Sequence, residues 1–107
     1  MSRTAVQREV AERIERIRKE MKKKDVQGYV VKNLVHVRYL SGYTADAACL
    51  FIGLKKNYLL TDFRFTEQAE IDTADFDVQL AKGAHIARLA RKHRCSNLFY
   101  EPGEFSH

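Results

Sequence analysis

The stretch AACLFIGLKKNYLL, residues 47–60, contains two apolar runs separated by a short polar segment. The first run, residues 47–52, is continuous, and the second, residues 58–60, follows after a glycine, a leucine, two lysines and an asparagine. Short apolar runs bounded by a polar, glycine-containing segment are typical of buried strands joined by a turn. Because so short a connection reverses the chain, we predict an antiparallel hairpin at this position.

Downstream of the hairpin, helical and extended patterns alternate. Asp62 is placed to cap a helix that begins near Phe63 or Arg64, and residues 76–80 alternate between apolar and polar as a half-buried strand does. After Gly83, a further helical pattern puts four residues on one face: Ile86, Leu89, Ala90 and His93. Residues 97–100 then form the last predicted strand.

Upstream of the hairpin, residues 29–31 (YVV) suit a buried strand. From about Ala5 to Lys24 the sequence predicts an amphipathic helix, since apolar residues recur at Val6, Val10, Ile14, Ile17 and Met21. Acid-before-base pairs at i,i+4 support a solvated face on this helix: Glu9/Arg13, Glu12/Arg16, Glu15/Lys19 and Glu20/Lys24.

The order of these elements predicts the fold class. At 107 residues the chain has room for one domain with one core. Strands that alternate with helices in the second half favour an α/β domain with parallel crossovers, and the hairpin adds an antiparallel pair. We therefore expect a three-layer α/β architecture, with a mixed β-sheet flanked by helices.

The net charge of +5 is concentrated in the first helix. Residues 1–24 contain nine Lys or Arg and four Glu, whereas residues 25–107 contain ten residues of each sign. A solvated helix face accounts for this charge, because no aromatic stacking platform or recognition motif accompanies it. We expect neither a nucleic-acid nor a membrane partner, and the alternative that stays open is a basic nucleic-acid or membrane-surface module that uses residues 8–24.

Residues 1–107 contain no pattern typical of an export signal and no motif typical of a catalytic site. No apolar run approaches the roughly 20 residues of a membrane span, and the charged N-terminus lacks a secretory apolar region, so we expect a cytoplasmic location. Cys49 and Cys95 lie outside any CxxC spacing and are expected to be reduced, structural thiols. The four histidines form no HxxxH or HExxH pair, and neither a GxSxG motif nor a phosphate loop occurs. We predict no catalytic residue and no metal ligand in this chain.

Two segments resemble the N-terminal domain of the creatinase, prolidase and aminopeptidase P family. They are residues 38–44, RYLSGYT, and residues 59–69, LLTDFRFTEQA. Their positions behind a basic amphipathic helix and a GYVV strand extend the resemblance over essentially the whole chain. Two residues depart from the family pattern: His36 stands where Asn is usual, and Phe63 stands where a small residue is common.

The resemblance implies a function for the chain. Residues 1–107 would be the non-catalytic N-terminal domain of a Xaa-Pro peptidase, truncated at its C-terminal end and lacking the catalytic "pita-bread" domain. That missing domain would be the partner of this chain and would bind a dinuclear divalent metal (manganese, cobalt or zinc), whereas this chain would hold no cofactor. Its roles would be to form a homodimer and to shape the rim of the active site.

The resemblance also suggests residues for that rim. Arg64 is the main candidate, because its planar fork suits a substrate carboxylate or an acidic side chain of a partner. The alternative is that Arg64 and Asp62 tie the start of a helix to a neighbouring loop. Tyr39, Tyr43 and Phe65 are further rim or interface candidates, with packing in the core or at a domain interface as their alternative.

One other class of function remains open on the same resemblance. Peptidase-like folds of this family also serve as protein-binding modules without enzymatic activity. A free-standing product of this length would favour that class.

Overall fold

A computed structural model of the chain describes residues 5–101 and 104–106. Ten elements follow one another in this part: α1 (Ala5–Lys23), β1 (Gly28–Val31), α2 (Leu34–Ser41), β2 (Ala48–Gly53), β3 (Asn57–Thr61), α3 (Thr66–Asp72), β4 (Phe76–Leu80), α4 (His85–Lys92), β5 (Leu98–Glu101) and β6 (Glu104–Ser106). No helix among the described residues is both long and apolar enough to cross a membrane.

The six strands form one mixed sheet in the order β4-β3-β2-β1-β5-β6. Strand β2 pairs antiparallel with both β1 and β3, and β6 pairs antiparallel with β5. The pairs β1–β5 and β3–β4 are parallel. Four strands, β1, β3, β4 and β5, therefore run in the same direction, and their carboxyl ends lie at one edge of the sheet.

Helices cover both faces of the sheet, which makes three layers. One core cluster joins Val10 and Ile14 of α1, Val37 of α2 and Ala69 of α3 to one face of the strands. The other cluster joins Leu89 of α4 to the opposite face. The expected three-layer mixed sheet flanked by helices is confirmed, and the predicted hairpin appears as β2 and β3.

The expectation that Asp62 caps a helix starting near Phe63 or Arg64 is wrong. The Asp62 side chain accepts a hydrogen bond from the backbone N–H of Arg64 at 2.9 Å, and its carbonyl accepts one from the N–H of Phe65 at 3.1 Å. These bonds close a turn over residues 63–65, and α3 begins only at Thr66. The Asp62 carboxylate thus stabilises a local turn before the helix instead of the helix itself.

Helix α2 was not predicted, because residues 38–44 were interpreted only through their likeness to a family segment. The helix has clear local signals at both ends. Asn33 is its N-cap, accepting hydrogen bonds from the N–H groups of Val35 (3.0 Å) and His36 (3.4 Å). Gly42 ends it in the left-handed region, at φ 81°, where a residue with a Cβ is strained.

We expect that replacing Asn33 with Ala lowers the free energy of unfolding by about 1 kcal/mol, because two N–H groups at the start of α2 lose their acceptor. The matched control is Asn33→Asp, which keeps a cap acceptor and should leave stability within about 0.5 kcal/mol of the wild type. Urea denaturation followed by far-UV circular dichroism measures both. Equal stabilities for the Ala and Asp variants would contradict the capping role.

Candidate functional site

The edge that holds the carboxyl ends of β1, β3, β4 and β5 is the candidate site. In open α/β sheets, ligands bind in the crevice outside the carboxyl ends of the strands, because the loops that follow the strands meet there. Here the segment after β3 carries Arg64 and Phe65, and the segment after β1 leads into α2. Strand β2 runs in the opposite direction, so the loop before it also reaches this edge.

Arg64 is bound to the aspartate two residues before it. Its Nε lies 3.2 Å from Asp62 Oδ1, and its Nη2 lies 2.7 Å from Asp62 Oδ2, so the guanidinium meets the carboxylate with two parallel hydrogen bonds. The guanidinium carbon also lies 5.1 Å from the centre of the Phe65 ring. The alternative was that Arg64 and Asp62 connect the start of a helix to a neighbouring loop. The structure shows a different contact, because Asp62 and Phe65, the two partners of the guanidinium, lie in the same turn as Arg64.

This pairing shifts the titration of both groups. The hydrogen bond from the Arg64 side chain is the main cause that lowers the pKa of the Asp62 carboxyl below its usual range, and the same bond raises the pKa of the guanidinium. The Arg64 side chain remains 64% exposed. An exposed arginine that is already ordered by a carboxylate presents its remaining N–H groups in a fixed orientation.

The other candidate residues lie in different surroundings. Tyr43 is 1% exposed, and its hydroxyl donates a hydrogen bond to the carbonyl of Asp46 at 2.6 Å, so this ring packs in the core. Tyr39 is 55% exposed, and its ring lies 3.9 Å below the guanidinium carbon of Arg13 on α1. Of the four candidates, the structure brings only Arg64 and Phe65 into contact.

A second polar cluster lies at the same edge, and no sequence pattern predicted it. His36 of α2 forms an ion pair with Glu101 at the end of β5, provided that the imidazole is protonated. The Tyr29 hydroxyl donates to the other oxygen of this carboxylate at 2.8 Å. Burial is the largest cause that raises the pKa of Tyr29, followed by the hydrogen bond to Glu101 and its charge. Only the parallel register of β1 and β5 brings these residues together.

The remaining polar groups of the described residues show no metal-binding arrangement. His93 and the Tyr58 hydroxyl are 2.7 Å apart, and His85 lies 2.7 Å from the Gln79 side-chain oxygen. Within residues 5–101 and 104–106, no group of three or more His, Cys, Asp or Glu side chains is placed to hold a metal ion. Cys49 and Cys95 are free thiols, and burial raises the pKa of each.

Comparisons with known proteins connect this fold to one family. A family model described as "Creatinase/Prolidase N-terminal domain" matches residues 13–99. The "Uncharacterized peptidase YqhT" of Bacillus subtilis (strain 168) is 30% identical over 78 residues, which are 73% of this chain and 22% of that protein.

Solved structures give the same picture. A Xaa-Pro dipeptidase from Bacillus anthracis is similar with a TM-score of 0.79 and 25% identity, over 86% of this chain and 27% of that chain. The N-terminal domain of the cytoplasmic peptidase PepQ from Mycobacterium tuberculosis H37Rv has a TM-score of 0.77 at 23% identity, over 84% of this chain and 72% of that one. The latter likeness concerns the fold alone. The chain thus spans about a quarter of the length of the two longer relatives.

We expect the Asp62 carboxyl to titrate below its usual range, and Arg64→Gln to raise its pKa towards that range, because the variant loses the charged partner. Side-chain carboxyl NMR during an acid titration measures this. The folded protein favours the ionised form of Asp62, so the pair stabilises the fold fully at pH values above the pKa that Asp62 has in the unfolded chain. This stabilisation is lost as the pH falls through the lower pKa that Asp62 has in the folded protein. The control is Arg38→Gln, since Arg38 pairs with Asp46. An Asp62 pKa that is the same in the wild type and Arg64→Gln would contradict the assignment.

Proposed function

The chain belongs to the creatinase/prolidase N-terminal domain family, and from that membership we propose that it serves as the non-catalytic N-terminal domain of a Xaa-Pro peptidase. The observation that carries this proposal is the likeness to a Xaa-Pro dipeptidase, which includes most of this chain but only 27% of the longer one. Hydrolysis would then be the task of a catalytic domain in the rest of the protein. A cytoplasmic location is part of the same proposal.

The metal chemistry would lie in that other domain. The described residues do not fit a dinuclear centre, because no group of three or more His, Cys, Asp or Glu side chains converges among them. A manganese, cobalt or zinc pair needs several carboxylate and imidazole ligands around one cavity. This domain would therefore contribute to the enzyme through its surface.

Arg64 is the residue by which this surface would reach the substrate. It lies in the segment that follows β3 at the carboxyl edge, where its guanidinium is bonded to Asp62 and lies over the Phe65 ring. The contacts with Asp62 use Nε and Nη2, which leaves donors at Nη1 for a carboxylate outside the domain. A substrate carboxylate at the rim of the catalytic site would suit these donors.

Arg64→Ala in the full-length peptidase should lower kcat/KM by about tenfold or more, because a charge-assisted contact with the substrate is lost, while the melting temperature stays close to that of the wild type. The matched control is Arg38→Ala, which also removes an exposed arginine paired with an aspartate. An unchanged kcat/KM together with a lowered melting temperature would reject the rim role and leave Arg64 with a role in the turn alone.

The domain would also form a homodimer. Helix α4 covers its face of the sheet incompletely, and a groove of about 660 Å³ remains beside it. We call this the α4 groove; Cys49, Leu98 and Tyr100 form its half-buried floor. Apolar surface of this kind on a sheet is usually covered, and a second copy of the chain would cover it.

Lys82 and Arg91 line the same groove, so two copies would bring like charges together. We therefore expect the dimer to strengthen as salt rises from about 50 mM to about 500 mM, since salt screens this repulsion. Light scattering at high micromolar concentration measures the mass. Ala87→Lys adds a further positive charge to the groove and should favour the monomer, whereas Ala74→Lys, remote from the groove, should not. A monomeric mass at every salt concentration would reject the dimer.

A further inference from the structure

A second groove, on the opposite face of the sheet, has a different character. It has a volume of about 320 Å³ and lies between α1, the end of α2 and strands β1 and β5. We call it the α1 groove. Its apolar floor includes Ile17 and Met21 of α1, Leu40 of α2, and the rings of Tyr29 and Phe99, which stack with centres 5.2 Å apart.

The rim of the α1 groove is positively charged. Arg13, Arg16 and Lys24 line it together with one acidic residue, Glu20. Glu20 pairs with Lys23 at 3.6 Å, three residues on, instead of the expected Lys24. Arg16 is exposed, and within the part of the chain that the structure describes it has no ion pair, although the sequence predicted one with Glu12. The charge at the rim is therefore only partly compensated.

Two contacts hold the arginine at one end of the groove. Arg13 Nη1 donates to the Tyr39 carbonyl at 2.7 Å, and the guanidinium stacks on the Tyr39 ring. Its Nη2 lies 3.3 Å from Glu9, the one predicted i,i+4 pair that forms as expected. At the other end, Lys24 Nζ lies 5.5 Å from the centre of the Phe99 ring. These positions fix one cation at each end of an apolar floor.

The groove has the length of a short helix. One wall, formed by α1 and the residue that follows it, runs from Arg13 to Lys24, and at a rise of about 1.5 Å per residue this stretch is about 16 Å long, or three helical turns. An amphipathic helix packs its apolar stripe into a concave apolar groove of this kind. A flat bilayer surface would reach the rim but not the floor.

We propose that the α1 groove binds an amphipathic helix of about three turns whose apolar stripe is flanked by acidic side chains. The stripe covers Ile17, Met21 and the stacked rings of Tyr29 and Phe99. The flanking carboxylates meet Arg16 and Lys24. The site lies apart from Arg64 and the α4 groove, so it adds a binding surface to the function proposed above.

Two helix-stabilised synthetic peptides of about 14 residues test this proposal. Both carry the same leucine stripe, flanked by glutamates in one and by lysines in the other. By fluorescence anisotropy at about 0.15 M ionic strength, the glutamate peptide should bind about tenfold or more tightly than the lysine peptide, and its affinity should fall as salt rises. A second copy of this basic chain in the groove would show the opposite dependence on salt.

Charge reversal on α1 provides the matched variants. Arg16→Glu should weaken binding of the glutamate peptide about tenfold and strengthen binding of the lysine peptide, whereas Lys22→Glu, the same charge reversal at an α1 residue that does not line the groove, should change either affinity by less than about twofold. Circular dichroism verifies that both variants stay folded. Equal affinities for the two peptides, equal effects of the two variants, or binding to phosphatidylserine vesicles that the glutamate peptide does not displace would overturn the proposal.

Discussion

Strands β2 and β3 contribute side chains to both core clusters. Each helix covers one of the two faces of this hairpin. Leu50, Ile52 and Leu59 face α1, α2 and α3, whereas Phe51 and Tyr58 face α4, and all five are completely buried. Each such side chain contributes about 1.5–3 kcal/mol when it leaves water. A sheet whose central hairpin is apolar on both sides is stable only between two layers of helices.

Helices cover the two faces of the sheet to different extents. Three helices share one face, and the single helix α4 lies on the other. The uncovered surface includes two grooves whose chemistry differs. The α4 groove exposes strand residues beside a short helix, and the α1 groove exposes a stacked aromatic pair beneath a row of cations. A domain whose described residues include no group of three or more His, Cys, Asp or Glu side chains placed to hold a metal ion can still contribute to its protein through such surfaces.

The helices and strands that could be predicted are those in which apolar residues recur at a regular spacing or form a continuous run. The period of apolar residues located α1 and α4, and the apolar runs located β2 and β3, because burial on a helix or strand imposes that spacing. Helix α2 had equally local signals, Asn33 at its start and Gly42 after its end, but its apolar pattern is short. The family resemblance suggested Arg64 as a rim candidate, which stays a prediction, and the pairing of its guanidinium with Asp62 within a single turn was not predicted. The link between His36 and Glu101 could not be predicted, since it depends on the parallel register of strands far apart in sequence.

The pairing of β1 with β5 also governs when the domain can form. Residues 28–31 lie beside residues 98–101, so a strand made early in synthesis receives its parallel neighbour only when nearly all of the described chain has left the ribosome. Contacts between distant segments require closure of a long loop, which slows folding. Until then, the Tyr29 ring lacks its stacking partner Phe99, and one edge of β1 is unpaired. Until β5 emerges, nascent chains of this protein therefore expose an unpaired strand edge of the kind that favours aggregation.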